Sequence, residues 1–380
     1  MSPLALVEVV ALIRQYLLLG IVPASDAVAL RRLTGLLIGP LEADDVLAQL
    51  TGARNFDDVT ECRLVVSLHG AVAKLHLAYA DDLKHPISAS ISKSLPSSLK
   101  AWMDVLRDYM CVAVYVDVGR GGVFFKQGAP REQLVPVYEE HFSGVLFAAC
   151  SMVGTEAWKS LPKPDEDTIF LLGMAVAYLR GRVCADGATP QDVTQLVEVL
   201  GNVLGSGVID QLGLPMELIS ELVAVVQAAT SAHGAMNSVT GFLGKLVGAL
   251  PKSLWEGDGD GEKLLQAIVT AGCEAIVGPL YPPEGAGGSV QQPEKQAFEM
   301  FSTLAGVLPP PLFLKAATCV MAMLLRTLES NALDEVRHAS ASLFSSLFLS
   351  MQRVCLCAYA GPLGADAPAA AIVPRRLWLR

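Results

Sequence analysis

The chain has 380 residues, 52% hydrophobic and only 17% charged, with 6% aromatics and a formal net charge of −10. That apolar share is high and that charged share low for a globular chain, which argues against disorder along its length. The acidic balance argues against nucleic acid as a partner, because phosphate binding needs clustered Lys and Arg, and the clusters here are small: Arg31-Arg32, Arg180-Gly-Arg182 and Arg375-Arg376.

The first segment, Met1 to Val22, is apolar but lacks a basic start and carries Glu8 and Arg14 inside its run. It reads as an amphipathic helix, not a signal peptide. Asp26 suits the cap of a helix that stops at Gly39-Pro40, because proline cannot continue it. A short helix is expected over Asp44 to Leu50, and Asp57-Asp58 opens a long one to about Ala80. Ala80–Ser98 holds serines 88, 90, 92, 94, 97 and 98 with two prolines and His85. It reads as a loop whose serines are candidates for phosphorylation.

Cys111–Val118 is β-branched and apolar, Gly119-Arg120-Gly121-Gly122 is a turn, and Val123-Phe124-Phe125 follows. The pattern reads as a β-hairpin over 111–125, either an insertion between helices or the join between two units. Helices are then expected at 131–154 and 165–183. Thr189-Pro190-Gln191-Asp192 is the cleanest helix start, with Thr as cap and Pro in the first turn. Further helices are expected at 215–231, 235–250, 261–277, 293–308, 311–329 and 332–357. Gly278–Pro293 reads as a long loop and Ala358–Ala371 as part of a tail ending in Arg375-Arg376-Leu377-Trp378-Leu379-Arg380. The expected organisation is a helical region over 1–110, a hairpin or linker over 111–130, a helical repeat region over 131–357 and a tail over 358–380. No uncharged run reaches the roughly 18 residues of a membrane span.

Signatures of chemistry are sparse. The eight cysteines stand mostly alone among apolar neighbours, as reduced buried thiols do. With no Asn-x-Ser/Thr acceptor in the chain, they suit a cytoplasmic or nuclear protein. Glu256-Gly-Asp-Gly-Asp-Gly-Glu262 alternates acids with glycines, yet no register places both the glycine and the final Glu that a calcium loop requires. His69 and His76 lie two helical turns apart, about 10 Å by rise, and no Cys-x-x-Cys or His-x-x-x-His spacing exists. Ser90-Ile-Ser-Lys93 has Ser-x-x-Lys spacing without its companion motifs, and Gly241-Phe-Leu-Gly244-Lys245 is too short for a phosphate loop. The expectation is a protein without metal, cofactor or enzymatic activity.

One stretch is more specific. In Asp334-Glu335-Val336-Arg337-His338-Ala339-Ser340, continuing to Leu343, Phe344 and Leu347, the apolar residues share one helical face. Acids stand at the helix start, where the dipole favours them. The order of acidic entry, Val-Arg, small residues and large apolar ones resembles the second helix of a HEAT repeat. From 165 onward two helices take roughly 40 to 50 residues, the length of that family's unit. The resemblance implies an all-α fold of antiparallel helix pairs stacked as an α-solenoid of HEAT or armadillo type. It implies an interaction scaffold or adaptor for other proteins, and in composition the chain also looks like a shortened importin-β or exportin-type transport receptor. It further implies that Val336, Leu343, Phe344 and Leu347 are buried between helices, with Asp334 and Arg337 making polar contacts along the stack. The alternative class is a helical bundle that is an enzyme or holds an apolar small ligand.

Overall fold

A computed structural model describes residues 3–42, 57–114, 123–125, 130–183, 190–205, 216–233, 236–250, 260–280, 295–329 and 334–360. Among these residues the regular structure is entirely helical. The chain divides into two compact units, Met1–Ala235 and Met236–Arg380.

The first unit holds α1 (Pro3–Leu18), α2 (Ala27–Ile38), α3 (Asp58–Tyr79), α4 (Pro86–Tyr109), α5 (Arg131–Ser151), the short α6 (Glu156–Lys159), α7 (Pro164–Val183), α8 (Pro190–Gly205) and α9 (Met216–His233). Local chemistry sets several of the boundaries. Asp26 Oδ1 accepts from the Ala29 amide at 3.0 Å and Asp57 Oδ1 from the Thr60 amide at 3.0 Å. Each satisfies a donor that a helix start leaves open. Helix α2 gives way at Gly39 to a 3-10 turn, Gly39–Glu42.

With the four-residue α6 left out of the count, helices two apart in the chain pack side by side. Helix α1 packs on α3, α3 on α5 and α5 on α8, while α2 packs on α4 and α7 on α9. Sequential helices also touch, so α3 is enclosed by α1, α2, α4 and α5. Its buried residues accordingly run round the helix, from Cys62 through Leu68 to Leu75.

The second unit holds α10 (Met236–Ala249), α11 (Asp260–Leu280), α12 (Lys295–Val307), α13 (Pro310–Glu329) and α14 (Asp334–Ala360). The same rule recurs: α10 packs on α12 and α12 on α14, while α11 packs on α13. Gly272 of α11 lets α12 approach closely, since a Cβ there would lie 2.8 Å from the Phe301 ring and closer still to the Met300 methyl.

Two expectations are corrected. The hairpin over 111–125 is not formed by its described part: Met110–Val114 is one turn of π-helix continuing α4, and residues 123–125 are bends. Burial explains the helical continuation, since Val112 is fully buried. The Val123 and Phe124 amides are taken by the Asp108 carboxylate at 3.1 and 2.8 Å, where a hairpin would give them a partner strand. The Gly119 turn lies outside the described residues. The serine-rich segment is also not a loop beyond Pro86. His85 caps α4, its Nδ1 accepting from the Ile87 amide at 3.3 Å, and Pro86 takes the first turn. Ile87, Ile91, Leu99, Trp102 and Leu106 then form a buried stripe. The short helix expected over Asp44–Leu50, most of Gly278–Pro293 and the tail beyond Ala360 lie outside the described residues. Among the described residues, no helix is long and apolar enough to cross a membrane.

Candidate functional site

Two places in the chain concentrate polar or accessible chemistry. The first is a closed polar knot in the first unit. Asp108, fully buried, accepts the Tyr138 hydroxyl at 3.1 Å in addition to the two amides of 123 and 124. Tyr138 in turn accepts from the Cys62 thiol at 3.4 Å. Arg107, next to Asp108, bonds Asp104 at 3.1 Å, pairs with Asp167 of α7, and lies 5.9 Å from the centre of the Phe170 ring. Nearby, His141 of α5 faces Ser67 at 3.1 Å, its ring lying over Gly70, where a Cβ would be 2.5 Å from Nδ1.

Burial holds the titratable Cys, Tyr and His side chains in and beside the knot in their neutral forms. Burial pushes the Cys62 thiol up to about 11 and raises the Tyr138 phenol, so both stay protonated. Burial pushes His69 down to about 4. It pushes His141 down to about 3, aided by Lys74 and Arg14. Glu140, 3.7 Å from His141 Nε2, therefore faces a neutral imidazole at neutral pH. These groups tie α3, α4 and α5 together. Among the described residues, no group of three or more His, Cys, Asp or Glu could hold a metal ion.

The second place is a groove of about 790 Å³ between α11 and α13. Glu262 near the start of α11 meets Lys315 near the start of α13 at 2.5 Å, so the two helices run in the same direction. The groove continues to Glu274 and Arg326 at the far end. Twelve residues of α11 make that span about 18 Å by helical rise. Its floor is apolar: Leu265, Val269, Ala316 and Met323 line it and are buried. Its α13 wall is cut low by small side chains, Cys319 and Ala322, both exposed. Its rim carries Gln266 and Thr270 besides the four charged residues. On the α11 side of the groove, burial pushes the Cys273 thiol up to about 11.

The residues singled out from sequence lie on α14, which packs against α12 and α13. Val336, Leu343 and Leu347 are buried. Leu347 borders a void of about 10 Å³ with Phe301 of α12 and Phe313 of α13. Phe344 is half-buried and stacks on the exposed Phe348, ring centres 6.5 Å apart. Asp334 and Arg337 face each other within the helix at 3.9 Å. None of the six lines the groove. Sequence reading missed the groove because its walls come from helices some fifty residues apart. The usable signal was the run of small residues Ala316, Ala317, Cys319 and Ala322 on an otherwise Leu- and Met-rich helix.

No family model, no curated protein and no solved structure matches the chain.

Proposed function

We propose that the chain is a non-enzymatic interaction scaffold, an α-solenoid of the HEAT or armadillo type. On this reading the groove between α11 and α13 takes the apolar face of an amphipathic helix from another protein. Three observations support it. Helices two apart pack side by side in both units, as stacked helix pairs do. Helices α11 and α13 run in the same direction, as equivalent helices of successive pairs do. The single observation that carries the binding role is the groove itself. It is about three turns long, with a buried apolar floor, charged ends and a low wall of small residues. That is the shape and chemistry of helix-in-groove recognition, in which anchors at i, i+3 or i+4 and i+7 enter an apolar channel.

The test is capture of partners from native extract on the full chain and on an Ala322→Trp variant, which fills the groove from an exposed position. The expected result is one near-stoichiometric protein that survives a salt wash on the parent chain and is lost on the variant, with both chains melting alike. The same protein on both chains, or none on either, contradicts the reading. The small GTPase Ran among the captured proteins would narrow it to a transport receptor. A second reading, an apolar small ligand, is favoured by the groove's volume alone, which falls within the roughly 300–1,000 Å³ of ligand pockets. Native mass spectrometry of the purified chain separates the two, because a retained small molecule adds a defined mass.

A further inference from the structure

Charge is not scattered round the rim of the α11–α13 groove but sorted by wall. Along α11 the accessible side chains that line it are Glu262, Gln266, Thr270 and Glu274, each about one turn from the last. Along α13 they are Lys315, Cys319, Ala322 and Arg326, again at helical spacing. Among the described residues the lining therefore holds four charged side chains, two acids on one wall and two bases on the other. The acids stand twelve residues apart and the bases eleven, so each pair brackets about three turns. The apolar floor of Leu265, Val269, Ala316 and Met323 lies between the walls. At one end the walls meet in the Glu262–Lys315 pair, whose side chains are 53% and 62% exposed. An exposed pair of this kind contributes little, so each member is open to a new partner.

We infer, resting on the reading of this groove as a helix-binding channel, that its occupant is an amphipathic helix with mixed flanks. Lys or Arg runs along one side of its apolar stripe and Asp or Glu along the other. In a helix with apolar residues at positions a and d of each heptad, the flanks are e and g, and charges there choose the partner and its orientation. A helix lying on the floor sets one flank above α11 and the other above α13. Bases above Glu262 and Glu274, with acids above Lys315 and Arg326, give an attractive pair at each of the four corners. Flanks of one sign put two of the four corners in repulsion, whichever way the helix runs. Turning a helix end for end on the floor exchanges its flanks, so the same four charges also fix the direction in which it lies. A helix with its flanks exchanged binds in the opposite direction.

The test uses the full chain and four synthetic peptides of two heptads, all with Leu at a and d and with equal net charge set by residues at the outward b, c and f. One carries Lys at e and Glu at g, a second the reverse, a third Lys at both and a fourth Glu at both. Fluorescence anisotropy in dilute salt should show the two mixed peptides binding about tenfold more tightly than either like-charged one, with the gap narrowing as salt is raised. A Glu262→Lys, Glu274→Lys double variant, altered only at exposed positions and melting like the parent, should instead prefer the peptide with Glu on both flanks. With a chloroacetyl group at the amino end, one mixed peptide should alkylate Cys319, which stands nearer the Lys315 end of its wall, and the other should not. Equal binding of all four peptides overturns the inference and leaves the apolar groove reading in place. The same tenfold preference in the double variant overturns it by placing the charged contacts elsewhere. Equal labelling of Cys319 by both mixed peptides overturns the fixed direction. Binding by none of the four overturns the groove reading, and this inference with it.

Discussion

At the residue scale the first unit is held by buried polar groups whose partners are specific. Asp108 accepts from two backbone amides and one phenol while fully buried. Asp108→Ala strands all three donors, so a loss of about 3 kcal/mol or more is expected in urea unfolding. Gly70 is required for a different reason: any Cβ there meets the base of the His141 ring, 2.8 Å from its Cβ. The ring cannot swing away as a long flexible chain would, and Gly70→Ala should cost roughly 1–3 kcal/mol. His69 and His141 also set an acid limit. Burial holds them near 4 and 3, below the usual 6.5, so the unfolded chain binds more protons than the folded one below 6.5. Stability therefore falls as pH drops from 6.5 toward 4, by up to ~1.4 kcal/mol per pH unit for each histidine. His69→Phe removes one of the two, so its melting temperature should vary less over that range. An equal slope in parent and variant would show that His69 is not buried neutral.

At the element scale the second unit depends on α14 lying against α12 and α13. Leu347 is buried where those helices meet, whereas Phe348 beside it is nearly half exposed. Leu347→Ala should cost about 2–5 kcal/mol. Phe348→Ala should cost less than about 1 kcal/mol, and equal losses in thermal melts would mean α14 is rotated from this placement. Helix α4 offers a parallel contrast. Ser94 is buried and bonds the Ile91 carbonyl, while Ser92 is exposed. A carboxylate at 94 would be desolvated without a partner, so Ser94→Asp should unfold the chain at clearly lower urea than Ser92→Asp. Phosphate could be added at Ser92 or Ser97 without opening the core, but not at Ser88, Ser94 or Ser98. This helix marks the limit of local reading. Asp26 and Asp57 were legible as caps because one side chain and one amide decide each. The serines of α4 look like loop formers, yet Ser90, Ser92, Ser94 and Ser97 bond carbonyls three or four residues back and remain in the helix. Likewise the described start of the β-branched run, Cys111–Val114, follows the burial of Val112, not its own strand propensity.

At the scale of the whole molecule, the high apolar share has its counterpart in α3, which is buried on more than one side within a ring of packed neighbours. The pairing of helices two apart was foreshadowed only by the regular spacing of helix starts, because row contacts are long-range and leave little local signature. Of the groove only the small residues of α13 left a trace in the sequence: Leu265 and Val269 on one helix, Ala316 and Met323 on another, are ordinary core residues until folding sets them on one floor. Its wall supplies a direct probe. Cys319 is exposed beside Ala322 and borders the proposed binding channel, while burial keeps Cys273 protonated and slow. The most direct measurement is therefore the alkylation rate of Cys319, resolved by mass spectrometry of its peptide, in the purified chain and in the chain with its captured partner bound. A bound helix lying along α11 and α13 covers that thiol, so the rate should fall at least tenfold on binding. An unchanged rate at Cys319 with the partner stoichiometrically bound would place the partner elsewhere and contradict the groove as the binding site.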